Sequence, residues 1–179
     1  MSNIAMQGGA TGSGTVTLLA PSTSTNRTLT LPDATGTVAL QGGTGVGKVL
    51  QVVNATYSTE TSTTSTSYVT TGLSASITPS SSSSKILIFA SNMLRAPAGN
   101  NSNFSVFRGT VAGTNLAGAS GFAAYYTSGA DTGVSVNYLD SPATASSQTY
   151  TCAFKASGGT AVIQAGAGTA TLTLMEIAA

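Results

Sequence analysis

The sequence has no histidine, no tryptophan and a single cysteine, and it carries few charges. It contains six basic and five acidic side chains in 179 residues, whereas glycine alone occurs 21 times. General acid–base catalysis depends on histidine, carboxylate and lysine side chains held close together. The acids stand singly along the chain, as Asp33, Glu60, Asp131, Asp140 and Glu176. The composition therefore favours a structural protein over an enzyme, and no paired carboxylates suggest a glycoside hydrolase.

The basic residues are too few and too scattered for a nucleic-acid-binding surface, which needs clustered lysine and arginine. They are Arg27, Lys48, Lys85, Arg95, Arg108 and Lys155. The formal net charge is +1, and a net charge near zero favours association of protein chains. We expect no nucleic-acid partner.

The membrane signals are also missing. The residues after Met1 show neither the basic region nor the apolar run of a secretory signal, and no stretch has about 18 consecutive apolar residues. We expect no membrane partner.

Cys152 lies in an alternating run and shares its parity with Tyr150 and Phe154. A free cysteine usually packs as a small apolar residue, and a nucleophilic one needs a basic neighbour such as histidine. This pattern predicts a buried, unreactive thiol.

Alternation of polar and apolar residues dominates the chain and predicts an all-β protein. Residues 85–90 form a continuous apolar run, which is typical of a strand buried on both faces. Residues 59–67 are nearly all Ser and Thr and predict an exposed sheet edge and loop, while residues 79–84 predict a polar turn. The predicted strands are 15–19, 28–31, 36–40, 48–57, 66–70, 73–77, 85–91, 103–108, 121–126, 133–139, 148–155, 160–164 and 170–177.

The glycine-rich stretch 42–47 predicts a hinge between two parts. Residues 48–179 suit an antiparallel jelly roll or β-sandwich. Residues 1–41 offer three short strands that bury too little surface to fold alone, so they predict an extended, β-rich N-terminal arm that orders against a partner.

Two motifs suggest ligand chemistry only weakly. Gly42 and Gly47-Lys48 match most of a phosphate-binding loop, but Val49 replaces the hydroxyl residue and a strand follows instead of a helix. Asp131 and Asp140 are isolated loop acids, more typical of turns than of a cation site, which needs several converging oxygens. We expect no cofactor and no metal site, although the sequence leaves open an ion on an oligomer axis.

An aromatic group lies in one strand. Tyr125 and Tyr126 are adjacent and follow Phe122 closely. Neighbouring strand residues face opposite sides of a sheet, so one tyrosine can be core and the other exposed. These three residues are the candidate ligand-contacting surface.

The N-terminal segment resembles a module of tailed-bacteriophage fibre and virion structural proteins, common in phages of cyanobacteria and other aquatic bacteria. The resemblance is carried by Gly14-Thr-Val-Thr-Leu-Leu-Ala-Pro21, Asn26-Arg-Thr-Leu-Thr-Leu-Pro32 and Ala34-Thr-Gly-Thr-Val38. Later landmarks are similar too: Lys48-Val-Leu-Gln-Val-Val53, Tyr57-Ser-Thr-Glu-Thr61, Thr78-Pro-Ser-Ser-Ser-Ser-Ser-Lys-Ile-Leu87, Tyr138-Leu-Asp-Ser-Pro142 and Leu172-Thr-Leu-Met-Glu-Ile177. The resemblance implies a β-rich homotrimer on the virion surface, assembled in the host cytoplasm, with a distal jelly roll of the C1q and tumour-necrosis-factor type.

The leading hypothesis is a non-enzymatic capsid-decorating (cement or head-fibre) protein, because the chain is short and has no shaft. Its arm would bind the major capsid protein or another virion protein. The apolar contacts of the arm would come from Leu18, Leu29, Leu31 and Val38. The alternative is a receptor- or glycan-binding tip of a short tail fibre, which contacts a host surface glycan.

The strand 170–177 carries the prediction about assembly. Leu172, Leu174 and Glu176 alternate with Thr171, Thr173, Met175 and Ile177. A sheet face open to water is normally polar, but Met175 and Ile177 are apolar. We therefore assign Leu172, Leu174, Met175 and Ile177 to the subunit interface, with Met175 and Ile177 nearest the neighbouring subunit.

Overall fold

The computed structural model describes Ser24, residues 48–126 and residues 130–178; of residues 123–126 and Ala167 it describes the backbone alone. The chain divides into two units, Met1–Gly42 and Gly43–Ala179, and the second contains all the described strands. The predicted arm (1–41) and hinge (42–47) lie outside the described residues apart from Ser24, as do Leu18, Leu29, Leu31 and Val38, so they stay predictions.

The described residues form an all-β structure, as the alternating pattern predicts. One short 3-10 turn, Ala165–Ala167, is the only helical element among them. The strands are β1 (Val49–Tyr57), β2 (Thr61–Thr63), β3 (Val69–Ile77), β4 (Lys85–Arg95), β5 (Asn101–Arg108), β6 (Thr114–Asn115), β7 (Ala123–Tyr126), β8 (Asp131–Asp140), β9 (Gln148–Ala156), β10 (Ala161–Ile163) and β11 (Ala170–Ile177).

The strands make two antiparallel sheets that face each other as a sandwich. Sheet A has the order β1-β11-β4-β10-β2, with β8 on the other side of β4. Sheet B has the order β3-β9-β5-β6, and β7 also pairs with β5. The chain enters and leaves this unit at one corner, where the Ala178 N–H donates to the Lys48 carbonyl at 2.9 Å beside the Val49–Ile177 pair.

The core lies between the sheets and is filled by alternate residues of each strand. In β11 the pattern is regular: Leu172, Leu174 and Glu176 are fully buried, and the residues between them are half-buried. The bounds of β11 and its two faces confirm the sequence prediction. The largest buried side chains of the core are Leu73, Ile77, Ile86, Ile88, Leu94, Phe104, Tyr150, Phe154, Ile163, Leu172 and Leu174.

The prediction for residues 85–90 is wrong in one respect. Ile86 and Ile88 are buried, but Phe89 is 42% exposed and Leu87 is half-buried. Among the described residues, β4 is therefore buried on one face only, because sheet B packs on its inner face and no described element packs on its outer face.

The sequence predicts two strands, 66–70 and 73–77, where the structure has the single strand β3. The pairing of β3 with β9 shifts in register between Thr70 and Ser74. Gly72 lies at the shift with a φ of 91°, and a Cβ atom there would come within 2.5 Å of the Tyr57 ring. Glycine fits this position because it tolerates positive φ and leaves room for the ring. The Ser/Thr-rich segment behaves as predicted, since β2 lies at the edge of sheet A.

One polar network joins the two sheets. The Tyr150 hydroxyl on β9 donates to Asp140 Oδ2 at 2.7 Å, and Asp140 ends β8. Arg108 on β5 pairs with the same carboxylate at 3.3 Å. A buried carboxylate needs such partners to compensate for lost hydration, so this network holds the sheets together at one end of the sandwich.

Candidate interaction surfaces

The outer face of sheet A carries a row of apolar side chains that crosses four neighbouring strands. The Cα register pairs Val52 with Met175, Met175 with Leu87, and Leu87 with Leu139. Val52 is 55% exposed and Leu139 is 47% exposed, while Met175 and Leu87 are half-buried. We call these four residues the apolar row.

Phe89 extends the apolar row on one side. It lies two residues from Leu87 on β4 and therefore on the same face, opposite Thr173 and Asn137. Beyond Phe89 the face turns polar, and the Ser135 hydroxyl donates to the Ser91 hydroxyl at 3.1 Å. The apolar surface thus ends at Phe89 in this direction, and no member of the row is charged.

The predicted interface residues divide between the two faces of β11. Leu172 and Leu174 are fully buried in the core between the sheets. Met175 belongs to the apolar row, and Ile177 is half-buried on the same outer face, opposite Lys85. Of the four predicted residues, Met175 and Ile177 are therefore the two available to a neighbouring molecule.

Glu176 is buried on the inner face of β11 without a cationic partner among the described residues. Its Oε1 accepts from the Ser80 N–H at 2.7 Å and the Ser80 hydroxyl at 2.6 Å, and its Oε2 accepts from Gln51 Nε2 at 2.6 Å. Burial opposes ionisation, but the hydrogen bonds from Ser80, Gln51 and Ser84 outweigh it and lower the pKa of Glu176 to about 2. The Glu176 carboxylate therefore has a structural role, because it accepts hydrogen bonds from Ser80 and Gln51.

The predicted ligand surface is only partly described. Phe122 is half-buried, and its ring centroid lies 5.4 Å from that of Tyr138. The backbones of Tyr125 and Tyr126 pair with Ser102 and Asn101 in the ladder between β7 and β5. Their side chains are outside the described part of the structure, so their role stays a prediction.

A second aromatic group, which sequence reasoning missed, lines an open groove on the outer side of sheet B. Tyr68 and Phe107 meet edge to face with centroids 5.4 Å apart, and Lys155 Nζ lies 4.7 Å from the Tyr68 ring centroid. The groove has a volume of about 390 Å³ and is lined by Thr66, Ser67, Tyr68, Phe107, Val111, Asn115, Ala119 and Lys155. No sequence motif marks it, because its residues come from separate strands and loops.

The acidic residues considered for a metal site are far apart and engaged elsewhere. Asp131 and Asp140 lie at opposite ends of β8, about 30 Å apart at the usual rise per strand residue. Arg95 forms an ion pair with Asp131 at 2.6 Å, and its hydrogen bond lowers the pKa of that carboxyl. Among the described residues, no three histidine, cysteine or carboxylate side chains lie close enough to hold a metal ion.

The remaining sequence candidates are explained by the fold. Cys152 is fully buried, and burial raises the pKa of its thiol to about 12, which confirms the prediction of a core thiol. The sequence predicts a strand, not a helix, after Gly47-Lys48, and β1 does begin at Val49. Residues 42–47 themselves lie outside the described residues. Within the described ranges, no helix has the length and hydropathy needed to cross a bilayer.

Comparisons with known proteins assign no family to this chain. No protein-family model matches the chain, and no curated protein matches it at a significant level. One chain in a structure of the Gx strain of infectious bursal disease virus is similar over 72% of this chain and 40% of that chain. The TM-score is 0.36 and the sequence identity is 13%, which are too low to assign a family or a function.

Proposed function

We propose that this chain is a non-enzymatic structural protein of a virus particle. It assembles as a homotrimer on the capsid surface and attaches to the major capsid protein, or another virion protein, through residues 1–41. The proposal that copies of the chain assemble rests on the apolar row and its neighbour Phe89. The virion location and the number of subunits rest on the sequence resemblance to bacteriophage fibre and virion proteins.

The apolar row suits a neighbouring subunit because it is uncharged and continuous. Full burial of one large aliphatic side chain contributes about 1.5–3 kcal/mol. The row spans four strands, about 14 Å at the usual strand spacing. Exposed apolar surface of this kind marks association sites in soluble proteins.

A second copy of the chain is the occupant that fits best. The formal net charge of +1 gives copies little electrostatic repulsion. The outer edge of β8 has no partner strand among the described residues, and exposed edges are commonly covered by other chains. A subunit seated on β8 and β4 would cover both this edge and the Leu139 end of the row.

The test of assembly is the mass of the purified full-length protein by light scattering and native mass spectrometry. We expect three times the 17.6 kDa of one chain, and a loss of the trimer in Leu87→Asp. The matched control is Ser74→Asp, which places the same charge on the exposed face of sheet B. A wild-type monomer at micromolar concentration, or an unchanged trimer in Leu87→Asp, contradicts the assembly proposal.

The test of attachment uses capsids assembled without this protein. We expect the full chain to decorate them and a variant lacking residues 1–41 to stay a folded trimer that no longer binds. Decoration by the truncated trimer at normal occupancy would show that the arm is not the anchor.

A further inference from the structure

The groove on sheet B combines an aromatic floor with one cation. Phe107 is almost completely buried under the groove, and it supports Tyr68 edge to face. Lys155 lies over Tyr68 and donates to the Ala119 carbonyl at 2.9 Å, so its position is fixed from two sides. An ammonium group has three N–H donors, and this contact uses one of them.

The charge of the groove is unbalanced. Lys155 makes no ion pair with the described acidic residues, and none of the groove-lining residues is acidic. An ammonium group next to an aromatic face and partly shielded from water interacts more strongly with an anion than a fully solvated one. The groove therefore suits a ligand that carries a negative charge.

The rest of the lining suits a hydroxylated ligand with an aliphatic face. Thr66 and Ser67 are exposed and present hydroxyl groups that have no hydrogen-bond partner in the described part of the chain. Val111 is 37% exposed and gives an apolar patch at the same site. The volume, about 390 Å³, lies within the range of small-molecule sites, about 300–1,000 Å³.

We propose that this groove binds an acidic saccharide, whose carboxylate pairs with Lys155 while its hydroxyls meet Thr66 and Ser67 and its C–H face lies on Val111. A saccharide combines all three features, whereas a simple anion uses only the lysine. The groove lies on sheet B and the apolar row on sheet A, so a failure of the assembly proposal would not contradict saccharide binding, and the reverse also holds.

The experiment is calorimetric titration of the full-length protein at low ionic strength with two acidic probes and their neutral counterparts. The probes are tri-galacturonate with galactotriose, and sialyllactose with lactose. We expect saturable binding of an acidic probe, weakening with added salt, and at least about tenfold weaker binding of its neutral counterpart, because a hydrogen bond to a charged group is lost.

The variants are Lys155→Met, which keeps the aliphatic stem, and Lys155→Arg, which keeps the charge. We expect Lys155→Met to bind at least about tenfold more weakly and Lys155→Arg to keep most of the affinity. Lys85→Met is the matched control, since it removes one exposed lysine from sheet A. Thermal unfolding of each variant checks that the fold is intact.

Three results overturn the proposal. The first is no saturable binding of either acidic probe, and the second is equal binding of acidic and neutral probes or of wild type and Lys155→Met. The third is equal competition by acetate at the same concentration, which would show that the groove takes any carboxylate and not a saccharide.

Discussion

Glu176 holds Ser80 by two hydrogen bonds to one carboxylate oxygen, 2.7 Å from the backbone nitrogen and 2.6 Å from the hydroxyl. Ser80 lies in the polar turn between β3 and β4, and Gln51 on β1 binds the other oxygen at 2.6 Å. One side chain on β11 therefore fixes a turn that joins the two sheets. The polar run 79–84 predicts the turn, but it does not reveal its anchor.

We expect Glu176→Gln to lower the free energy of unfolding by about 2–3 kcal/mol at neutral pH. The new amide would place an N–H group against Gln51 Nε2, so two donors would face each other. Urea unfolding followed by circular dichroism measures the change. Glu60→Gln, at an exposed acid with one hydrogen bond to the Gly166 N–H, should cost less than about 1 kcal/mol.

The pH dependence has a definite sign. The pKa of Glu176 is lowered from 4.5 to about 2 in the folded state. Its contribution is therefore fully present above about pH 4.5 and is lost as the pH falls towards 2. The difference in stability between wild type and Glu176→Gln should shrink over this window; a constant difference down to pH 2 would contradict the role given to the carboxylate.

Tyr150→Phe should destabilise the protein by about 1–2 kcal/mol, because it removes a buried hydrogen bond to Asp140 at 2.7 Å. Tyr138→Phe is the control, since the Tyr138 hydroxyl has no partner among the described residues and its ring contact with Phe122 is kept. Thermal and urea unfolding of both variants make the comparison. Equal effects of the two substitutions would argue against a bond between the sheets at Asp140.

Cys152 should resist alkylation by iodoacetamide in the folded protein and react only after unfolding. The thiol is fully buried and its pKa is raised to about 12 by burial, so almost no thiolate exists at neutral pH. Labelling followed by mass spectrometry measures the rate. Ser74→Cys, with an exposed thiol on sheet B, is the positive control, and comparable labelling of Cys152 in the native wild type would contradict the prediction.

Ile177→Asp should raise the dissociation constant of the proposed trimer at least about tenfold, because a charge would replace an apolar side chain on the outer face of β11. Ile177→Val keeps the apolar contact and should leave the constant nearly unchanged. Analytical ultracentrifugation over a concentration series gives both values. If the aspartate variant assembles as tightly as the valine variant, Ile177 is outside the interface.

The sequence predicts the fold best where alternation is regular. In β11 polar and apolar residues alternate from Thr171 to Leu174, and this alternation predicts the strand and its two faces. The last three residues break it, since Met175 and Ile177 are apolar on the outer face and Glu176 is polar on the inner face. In β4 the same reasoning misleads, because Leu87 and Phe89 are apolar on a face that no described element covers. A continuous apolar run does not distinguish burial inside one chain from burial between chains.

The contacts that matter most at the surfaces cannot be derived from spacing. Tyr68, Phe107 and Lys155 lie far apart in the sequence and meet because β9 lies between β3, which Tyr68 directly precedes, and β5 in sheet B. The adjacent pair Tyr125 and Tyr126 is visible in the sequence as a candidate ligand surface, whereas the residues of the groove are dispersed and form no motif. Likewise, the acids that stand singly in the sequence find partners across strands, as Asp131 does with Arg95.

The corner at which Lys48 and Ala178 meet determines how the domain responds to force. β1 and β11 are antiparallel, and the Val49–Ile177 pair is the first of their ladder. Tension that pulls residues 48 and 178 apart acts on this pair first and opens the ladder one step at a time, as a zipper opens, instead of loading all its hydrogen bonds together. Tension between residue 48 and a point deep in sheet B meets the packed core instead, so the resistance of this domain depends on the direction of pulling.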